Sequence, residues 1–147
     1  MANQQQLDLL KQGVATIWNR WREEHPDTAI KLNGADLSEA NLGEVNLAGA
    51  DLSWANLSGA DLNNANLSKA GLTGADLSGA NLAGADLSAA DVSEANLRDA
   101  DLTNADLAGT DLRGADLREA QLDWALLEGA LITPEQLRQA RVGHDSL

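Results

Sequence analysis

The sequence predicts an all-β fold in which very short strands alternate with tight corners. An aliphatic residue, nearly always Leu, recurs at every fifth position from Leu32 to Ile132 without an insertion, which gives 21 in-phase centres. A period of five matches neither the helical repeat of 3.6 residues nor the strand repeat of two. Each unit must therefore combine a strand with a change of direction. The chain has no Phe, Tyr or Cys, so small aliphatic side chains must fill the core.

Each unit contains a predicted strand of three residues. A small side chain, usually Ala, precedes each centre by two positions, and Asp or Asn usually lies between them. Successive strand residues point to opposite sides, so the small residue and the centre face inward and the Asp or Asn faces outward. The inward centres include a series formed by the Leu of every fourth unit: Leu37, Leu57, Leu77, Leu97 and Leu117.

The corner of each unit follows its centre by two residues. Gly occupies this position at nine places, including Gly34 and Gly79, and Asn occupies it at Asn64 and Asn104. The third position of a type II turn requires a positive φ, which Gly and Asn adopt most readily. The pattern therefore predicts a type II turn at each corner.

Runs such as Ala-Asp-Leu-Ser-Gly at 75–79 and Ala-Asn-Leu-Ala-Gly at 80–84 resemble the pentapeptide repeat family. This resemblance implies an all-β solenoid, a right-handed quadrilateral parallel β-helix in which four pentapeptides form one coil. The repeat over 30–132 would then form about five coils in a shaft roughly 25 Å long. The whole chain, 1–147, is expected to be a single domain.

The outward positions support the stacking of every fourth unit. On two of the four expected sides, Asp residues alternate with amides, as in the series Asp36, Asn56, Asp76, Asn96 and Asp116. Stacked carboxylates about 5 Å apart would repel each other. The other two sides follow this rule less closely, because Asp86 would stack on Asp106 and Asp91 on Asp111.

A capping helix is predicted at the N-terminus, over 4–25, before Pro26. Its apolar positions have helical spacing and would cover the first coil; they are Leu7, Leu10, Val14, Ile17, Trp18 and Trp21. The alternative is that Trp18 and Trp21 contact a membrane or a partner. The balanced charge of this segment disfavours a membrane-surface helix, which is usually basic.

A shorter helix is predicted within 133–142, followed by a tail at 143–147. Thr133, Pro134 and Gln136 form a capping-box pattern at its start. Just before it, Trp124, Leu126 and Leu131 lie at outward or corner positions. Either the terminal helix folds back over them or they form a self-association patch, so the chain is expected to be a monomer or a homodimer through this end.

Charge and composition exclude several functions. The net charge is −13, and 17 of the 23 acidic residues lie within 34–132 beside only four basic ones, which opposes direct binding to nucleic acid or to an anionic membrane. His25 and His144 have no companion motif, and the Gly-Gly-x-Gly-x-Asp calcium repeat is absent. We therefore expect no enzymatic activity, cofactor or metal. Without a secretory signal, the expected location is cytoplasmic.

The sequence thus favours a rigid protein-interaction or scaffold module with a protein partner that it does not identify. The candidate contact residues are Trp54, an outward aromatic in the shaft, and the group of Trp124, Leu126 and Leu131. The alternative is an acidic rod that imitates DNA and binds DNA gyrase or another DNA-binding protein. The resemblance to the pentapeptide repeat family allows this, because some members of that family resemble DNA in shape and charge and bind gyrase. Those members typically carry Phe at many centres, whereas every centre here is aliphatic.

Overall fold

The computed structural model describes residues 1–143 and shows a backbone that stacks on itself once in every four pentapeptides. Parallel bridges join each outward residue from Lys31 to Asp111 to the outward residue four pentapeptides later, and a further bridge joins Gln121 to Arg141. Four bridge positions separated by four turns complete each coil, which therefore has four short sides. The predicted tail lies, from residue 144 onward, outside the described residues.

The four sides are named here by their stacks of outward residues. Side A comprises Asp36, Asn56, Asp76, Asn96 and Asp116; side B comprises Asn41, Asp61, Asn81, Asp101, Gln121 and Arg141. Side C comprises Asn46, Asn66, Asp86, Asp106 and Leu126; side D comprises Lys31, Asp51, Gly71, Asp91, Asp111 and Leu131.

Each side is shorter than the predicted three-residue strand and consists of a single bridge residue. Around Asn96, the Ala75 carbonyl accepts from the Asn96 N–H at 2.9 Å and the Leu77 N–H donates to the Asn96 carbonyl at 2.7 Å. The Leu77 carbonyl then accepts from the Ala80 N–H at 3.0 Å, which closes the next turn. The strand ends early because its last inward residue is already the first residue of the turn.

The corners have the positive φ that a type II turn requires, with Gly34 at 70° and Gly79 at 66°. Eleven corner residues other than Gly also have positive φ, and they include Ala89 at 57° and Trp54 at 59°. The sequence predicted a corner in every unit, but the corners occupied by Ala, Glu, Lys, Asp or Trp lack the Gly or Asn that favours a positive φ. L-residues adopt this conformation at a cost of about 1–2 kcal/mol.

Replacing Ala89 with Gly should therefore stabilise the protein. We expect the free energy of unfolding to rise by roughly 0.5–1 kcal/mol, because Gly adopts the left-handed conformation without a Cβ clash. The matched control is Ala83→Gly in an ordinary turn position, which should lower stability instead. Urea unfolding of both variants measures the difference, and a destabilised Ala89→Gly variant would contradict the strained corner.

The interior of the coil is filled by the two inward residues of each unit. Leu centres from Leu32 to Leu122 are at most 2% exposed, and this set includes Leu37, Leu57, Leu77, Leu97 and Leu117. Thr110 occupies an inward position that is usually Ala, and its hydroxyl donates to the Leu87 carbonyl at 2.7 Å. Among residues 1–143, no buried side-chain nitrogen or oxygen lacks a hydrogen-bond partner. The interior is thus lined by aliphatic side chains that solvent scarcely reaches.

The prediction of a single N-terminal helix over 4–25 is wrong. Two helices are present, α1 (Gln4–Leu10) and α2 (Ala15–Glu24), and between them Gly13 has a φ of 73°. The change of direction there breaks the expected apolar face, so Val14 and Ile17 are 45% and 43% exposed. The first coil is covered by the remaining buried residues of these helices, Leu7, Leu10 and Trp18.

Side-chain amides complete the backbone pairing at the N-terminal edge. The Gln6 amide donates to the Ala29 carbonyl and accepts from the Lys31 N–H, both at 2.8 Å. Asn19 likewise accepts from the Asn46 N–H at 2.7 Å and donates to the Glu44 carbonyl at 3.0 Å. Each amide supplies the donor and acceptor of a missing strand, so these backbone groups at the edge of the first coil are satisfied.

The C-terminal helix, α3 (Pro134–Gln139), is shorter than the predicted 133–142. Thr133 and Gln136 form the expected capping box, and the Gln136 amide also donates to the Leu112 and Ala115 carbonyls at 2.6 and 3.0 Å. Helix α3 therefore covers the end of side A, and the chain returns to side B at Arg141. Within residues 1–143, no strand follows Leu126 on side C or Leu131 on side D. No helix in this range could span a membrane.

Candidate interaction surfaces

The first candidate surface is the corner that contains Trp54. This side chain is 69% exposed, and its ring lies across Gly74 in the next coil. A Cβ at Gly74 would come within 2.5 Å of the indole carbons, so the ring rests directly on the backbone. Gly34 occupies the same corner in the preceding coil. Trp54 therefore forms an isolated aromatic platform between two corners that carry no side chain.

The second candidate surface lies at the C-terminal end of the shaft. Trp124, Leu126 and Leu131 are 58%, 59% and 48% exposed. The expectation that the terminal helix covers them is wrong, because α3 contacts the end of side A whereas Leu126 and Leu131 end sides C and D. We call these three exposed apolar residues the terminal patch.

The two candidate surfaces are separate. Fourteen pentapeptides lie between the Trp54 corner and the Trp124 corner. With four pentapeptides in each coil, this spacing corresponds to three and a half coils. The two indoles therefore occupy opposite corners of the shaft, roughly 17 Å apart along its axis. A single small partner domain cannot cover both of them, so each must be assessed as its own contact.

The N-terminal tryptophans do not form a third surface. Trp18 is 1% exposed, and its Nε1–H donates to the Asn46 carbonyl at 2.8 Å. Trp21 is half-buried and stacks on His25 with ring centroids 4.7 Å apart. Trp18 thus closes the first coil instead of being available to a membrane or partner.

The outward carboxylates are structural elements of the corners. The Asp51 carboxylate accepts from the Ser53 N–H at 3.0 Å and from the Ser53 hydroxyl at 2.6 Å. The same arrangement recurs in other Asp/Asn-Leu-Ser runs, and Asn56 makes it with Ser58. Sequence reasoning assigned no role to these serines. The recurring spacing of two residues between the acid or amide and Ser was the signal that it missed.

At two of these corners the hydrogen bonds lower the pKa of the carboxyl group. Donation by the hydroxyl and N–H of Ser53 lowers the pKa of Asp51, and Ser93 lowers the pKa of Asp91 in the same way. In the unfolded chain, the Asp pKa is about 3.9. A carboxyl with a lowered folded pKa contributes stability that is present above the unfolded pKa and is lost as pH falls through the folded pKa.

We therefore expect the melting temperature to change little between about pH 7 and pH 5 and to fall below about pH 4. Circular dichroism melts across this range measure the effect. The matched variant is Asp51→Asn, which keeps the oxygen that accepts from Ser53 but does not titrate. Its melting temperature should depend less on pH below about pH 4 than that of the original chain. If the two melting temperatures fell equally with pH, titration of Asp51 would not be a cause of the acid destabilisation.

Stacked carboxylates occur on two sides of the shaft. The bridges pair Asp86 with Asp106 on side C and Asp91 with Asp111 on side D. On side D, Arg113 forms a bidentate ion pair with Asp111 at 2.8 and 3.0 Å. Within the described part of the chain, no basic side chain forms an ion pair with either acid of side C.

Removing one charge from side C should stabilise the fold. Asp106→Asn keeps the oxygen that accepts the Ala108 N–H at 3.0 Å and ends the repulsion from Asp86. We expect a gain of about 0.2–1 kcal/mol, larger at low salt. The control, Asp101→Asn, lies between Asn81 and Gln121 on side B and should give a smaller gain. If the two variants raised the free energy of unfolding equally in urea, the cause would be the lower net charge and not the stacking of Asp86 on Asp106.

The described residues offer little for catalysis. None of their His, Asp and Glu side chains form a group of three that could hold a metal ion. An open depression of about 700 Å³ lies between the start of α1 and the first coil, and Asp36 is its one ionisable side chain. The Asp36 carboxylate accepts from the Ser38 hydroxyl and N–H. This depression therefore lacks the acid–base pair that most hydrolytic and proton-transfer reactions need.

Comparisons with known proteins agree with this architecture. The family model for pentapeptide repeats matches residues 28–64, 60–99 and 95–133 of the chain. Rfr23, a pentapeptide repeat protein from the cyanobacterium Cyanothece 51142, is 29% identical, with coverage of 86% of this chain and 95% of its own and a TM-score of 0.70. A pentapeptide repeat protein from the thylakoid lumen of Arabidopsis thaliana is 32% identical, with coverage of 79% and 81% and a TM-score of 0.64.

No curated protein matches the sequence. The family model nevertheless covers well over half of the chain, and the structural similarity to the two solved proteins extends over most of its length. The stacking of every fourth unit and the aliphatic interior explain why the repeat model fits without interruption from residue 28 to residue 133. The chain belongs to the pentapeptide repeat family.

Proposed function

We propose that this chain is a non-enzymatic, rigid scaffold that binds a protein partner through the outer surface of its shaft. In this proposal the shaft is a right-handed, four-sided coil of about five turns. The observation that supports it most directly is the filled interior, whose Leu centres from Leu32 to Leu122 are at most 2% exposed. With the interior occupied, any ligand contact must be made by the flat sides, the corners or the two ends.

Rigidity follows from the way successive coils are joined. Each pentapeptide of the central shaft donates two backbone N–H groups to the next coil, as Leu77 does to Asn96 and Gly79 to Arg98. The same pentapeptide accepts one hydrogen bond from that coil, at the Ala75 carbonyl. A side therefore cannot bend without breaking several hydrogen bonds together. Such a surface holds its contact residues at fixed spacings, which suits a scaffold.

Partner capture with surface variants tests this function. The purified chain would be immobilised and exposed to an extract of its native cells, and retained proteins would be quantified by mass spectrometry. We expect a retained protein to be reduced at least about fivefold by Trp54→Ala or by Ala substitutions in the terminal patch, since exposed aromatic anchors dominate interfaces. Val14→Ala, which changes an exposed apolar residue of the cap, is the control. If nothing specific is retained, the scaffold proposal is wrong.

A second candidate function rests on charge density. Residues 34–132 hold 17 acidic residues and four basic ones, so a net charge of −13 lies along a shaft roughly 25 Å long. A DNA duplex of that length carries about 15 charges. The chain could therefore occupy a DNA-binding groove, such as that of gyrase. Salt-sensitive inhibition of gyrase supercoiling by the purified protein would support this function, and full gyrase activity at micromolar protein would remove it.

A further inference from the structure

Sides C and D each carry two stacked acids followed by an exposed Leu, but on side D Asp111 pairs with Arg113, whereas the described residues provide no ion-pair partner for the acids of side C. Asp86, Asp106 and Leu126 follow one another in successive coils, joined by parallel bridges. Neither acid has an ion-pair partner among residues 1–143. Leu126 is 59% exposed, and beside it Trp124 is 58% exposed. The stack thus presents two uncompensated negative charges and then an apolar group, in one straight line along the shaft.

The corners on both edges of this stack are occupied by residues with short side chains or none. Next to Asp86 they are Gly84 and Ala89, and next to Asp106 they are Asn104 and Gly109. None of these four residues has a side chain longer than that of Asn, and the Asn64 amide of the preceding coil lies against Gly84. A rod-shaped partner can therefore lie flat along the stack and contact both acids.

The spacing along the stack matches a helix better than a strand. Successive coils are about 4.8 Å apart, whereas one turn of an α-helix rises about 5.4 Å. Residues on one face of an extended strand are about 6.6 Å apart. Two basic side chains on successive turns of a helix would thus reach Asp86 and Asp106. An apolar side chain one further turn along would reach Leu126.

We propose that side C binds a basic amphipathic helix of a protein partner, with Asp86 and Asp106 pairing with Lys or Arg and with Leu126 and Trp124 packing against an apolar residue. This inference rests on the proposed scaffold function and names the partner's chemistry. A second copy of this chain is disfavoured as the occupant, because it carries the same net charge of −13 and would be repelled. A basic helix would instead remove the repulsion between the two stacked acids.

The probe for this proposal is a fluorescein-labelled, alanine-based helical peptide of about 15 residues. It carries two Lys four positions apart and a Leu three positions further on, so all three lie on one face. A peptide of identical composition with the Lys residues on opposite faces is the peptide control. Fluorescence anisotropy at low salt measures binding to the full chain, and we expect the one-face peptide to bind at least about fivefold more tightly than its control.

Matched protein variants locate the binding site. Asp86→Asn combined with Asp106→Asn should weaken peptide binding about tenfold or more, and Leu126→Asn about fivefold. Asp61→Asn combined with Asp101→Asn removes the same charge from side B, which has no apolar end, and should change binding less than about twofold. Because Asn preserves the corner hydrogen bonds, as Asn56 and Asn66 show, the side C variant should remain folded.

Three results would overturn this inference. The first is equal binding of the two peptides, and the second is equal weakening by the side B and side C variants, which would indicate diffuse charge attraction. The third is a stable dimer in sedimentation velocity that Leu126→Asn converts to monomer, since a second copy would then cover the patch. The scaffold function would still be supported in each case if the capture experiment retained a partner from extract and the Trp54→Ala variant failed to retain it.

Discussion

The Leu77→Asp variant is expected to lose its cooperative thermal unfolding transition. Leu77 is 0% exposed and lies in a continuous aliphatic interior. A carboxylate there would have no cationic partner, because the inward residues of the neighbouring units are Ala and Leu. Burial of an unpaired charge costs more than about 4 kcal/mol, a large part of the roughly 5–15 kcal/mol that stabilises a typical domain.

The backbone hydrogen bonds of Leu77 prevent the new Asp side chain from turning outward into solvent. Its N–H donates to Asn96 at 2.7 Å and its carbonyl accepts from Ala80 at 3.0 Å. Turning the side chain outward would break both bonds and shift the register of the next coil. The new carboxylate would therefore disrupt the coils on either side of its own. We expect a protein that melts gradually, without a sharp transition, in circular dichroism and calorimetry.

Leu131→Asp is the matched control for this experiment. It makes the same chemical change at a Leu that is 48% exposed at the end of side D. We expect its melting temperature to fall by no more than a few degrees, because the new carboxylate is exposed and its repulsion from the stacked Asp111 costs at most about 1 kcal/mol. Retention of a sharp transition by Leu77→Asp would show that Leu77 does not face inward.

Much of the shaft could be predicted from the sequence because its register is encoded in every unit. The five-residue period places Leu77 and Ala75 inward and Asp76 outward, and a slip by one residue would reverse these positions. The stacking of every fourth unit was visible independently in the alternation of Asp76 with Asn56 and Asn96. Repeated local signals of this kind reinforce one another, whereas a single ambiguous unit could be assigned either way.

The ends could not be predicted as well because each occurs once and depends on tertiary contacts. Gly13 is compatible with a helix interior at a modest cost, yet its φ of 73° divides the expected helix in two. That break allows Asn19 to reach Asn46 and complete its backbone pairing. Sequence periodicity detects an apolar face but does not show which amide will replace a missing strand. The hydrogen bonds of Gln6 to Ala29 and Lys31, and of Gln136 to Leu112 and Ala115, were therefore not predicted.

The non-Gly corners have a related explanation. Glu39, Trp54 and Glu94 have low intrinsic preference for positive φ, but each lies between strands fixed by hydrogen bonds to neighbouring coils. The conformational cost at one corner is smaller than the cost of breaking the pairing on both of its sides. Local propensity therefore predicted the corners where Gly or Asn is present and missed those where the coil imposes the conformation.

The Ala75→Phe variant is expected to be destabilised by about 3 kcal/mol or more, because the interior has no room for the added ring. Ala75 is 0% exposed, and its backbone is held on both sides. The Ala75 carbonyl accepts from Asn96, and the following N–H, that of Asp76, donates to the Ala55 carbonyl, both at 2.9 Å. The strand therefore cannot move outward to enlarge the interior without losing hydrogen bonds to two coils.

The control for this variant is Ala83→Phe, in which the same ring is added at a partly exposed turn position on the outside of the shaft. Its ring can extend into solvent, so its urea midpoint should remain close to the original value. If Ala75→Phe were as stable as Ala83→Phe, the interior at Ala75 would have to contain a void about the size of a benzene ring. Such a void would contradict close packing of the coil, and with it the argument that ligands must bind on the outside.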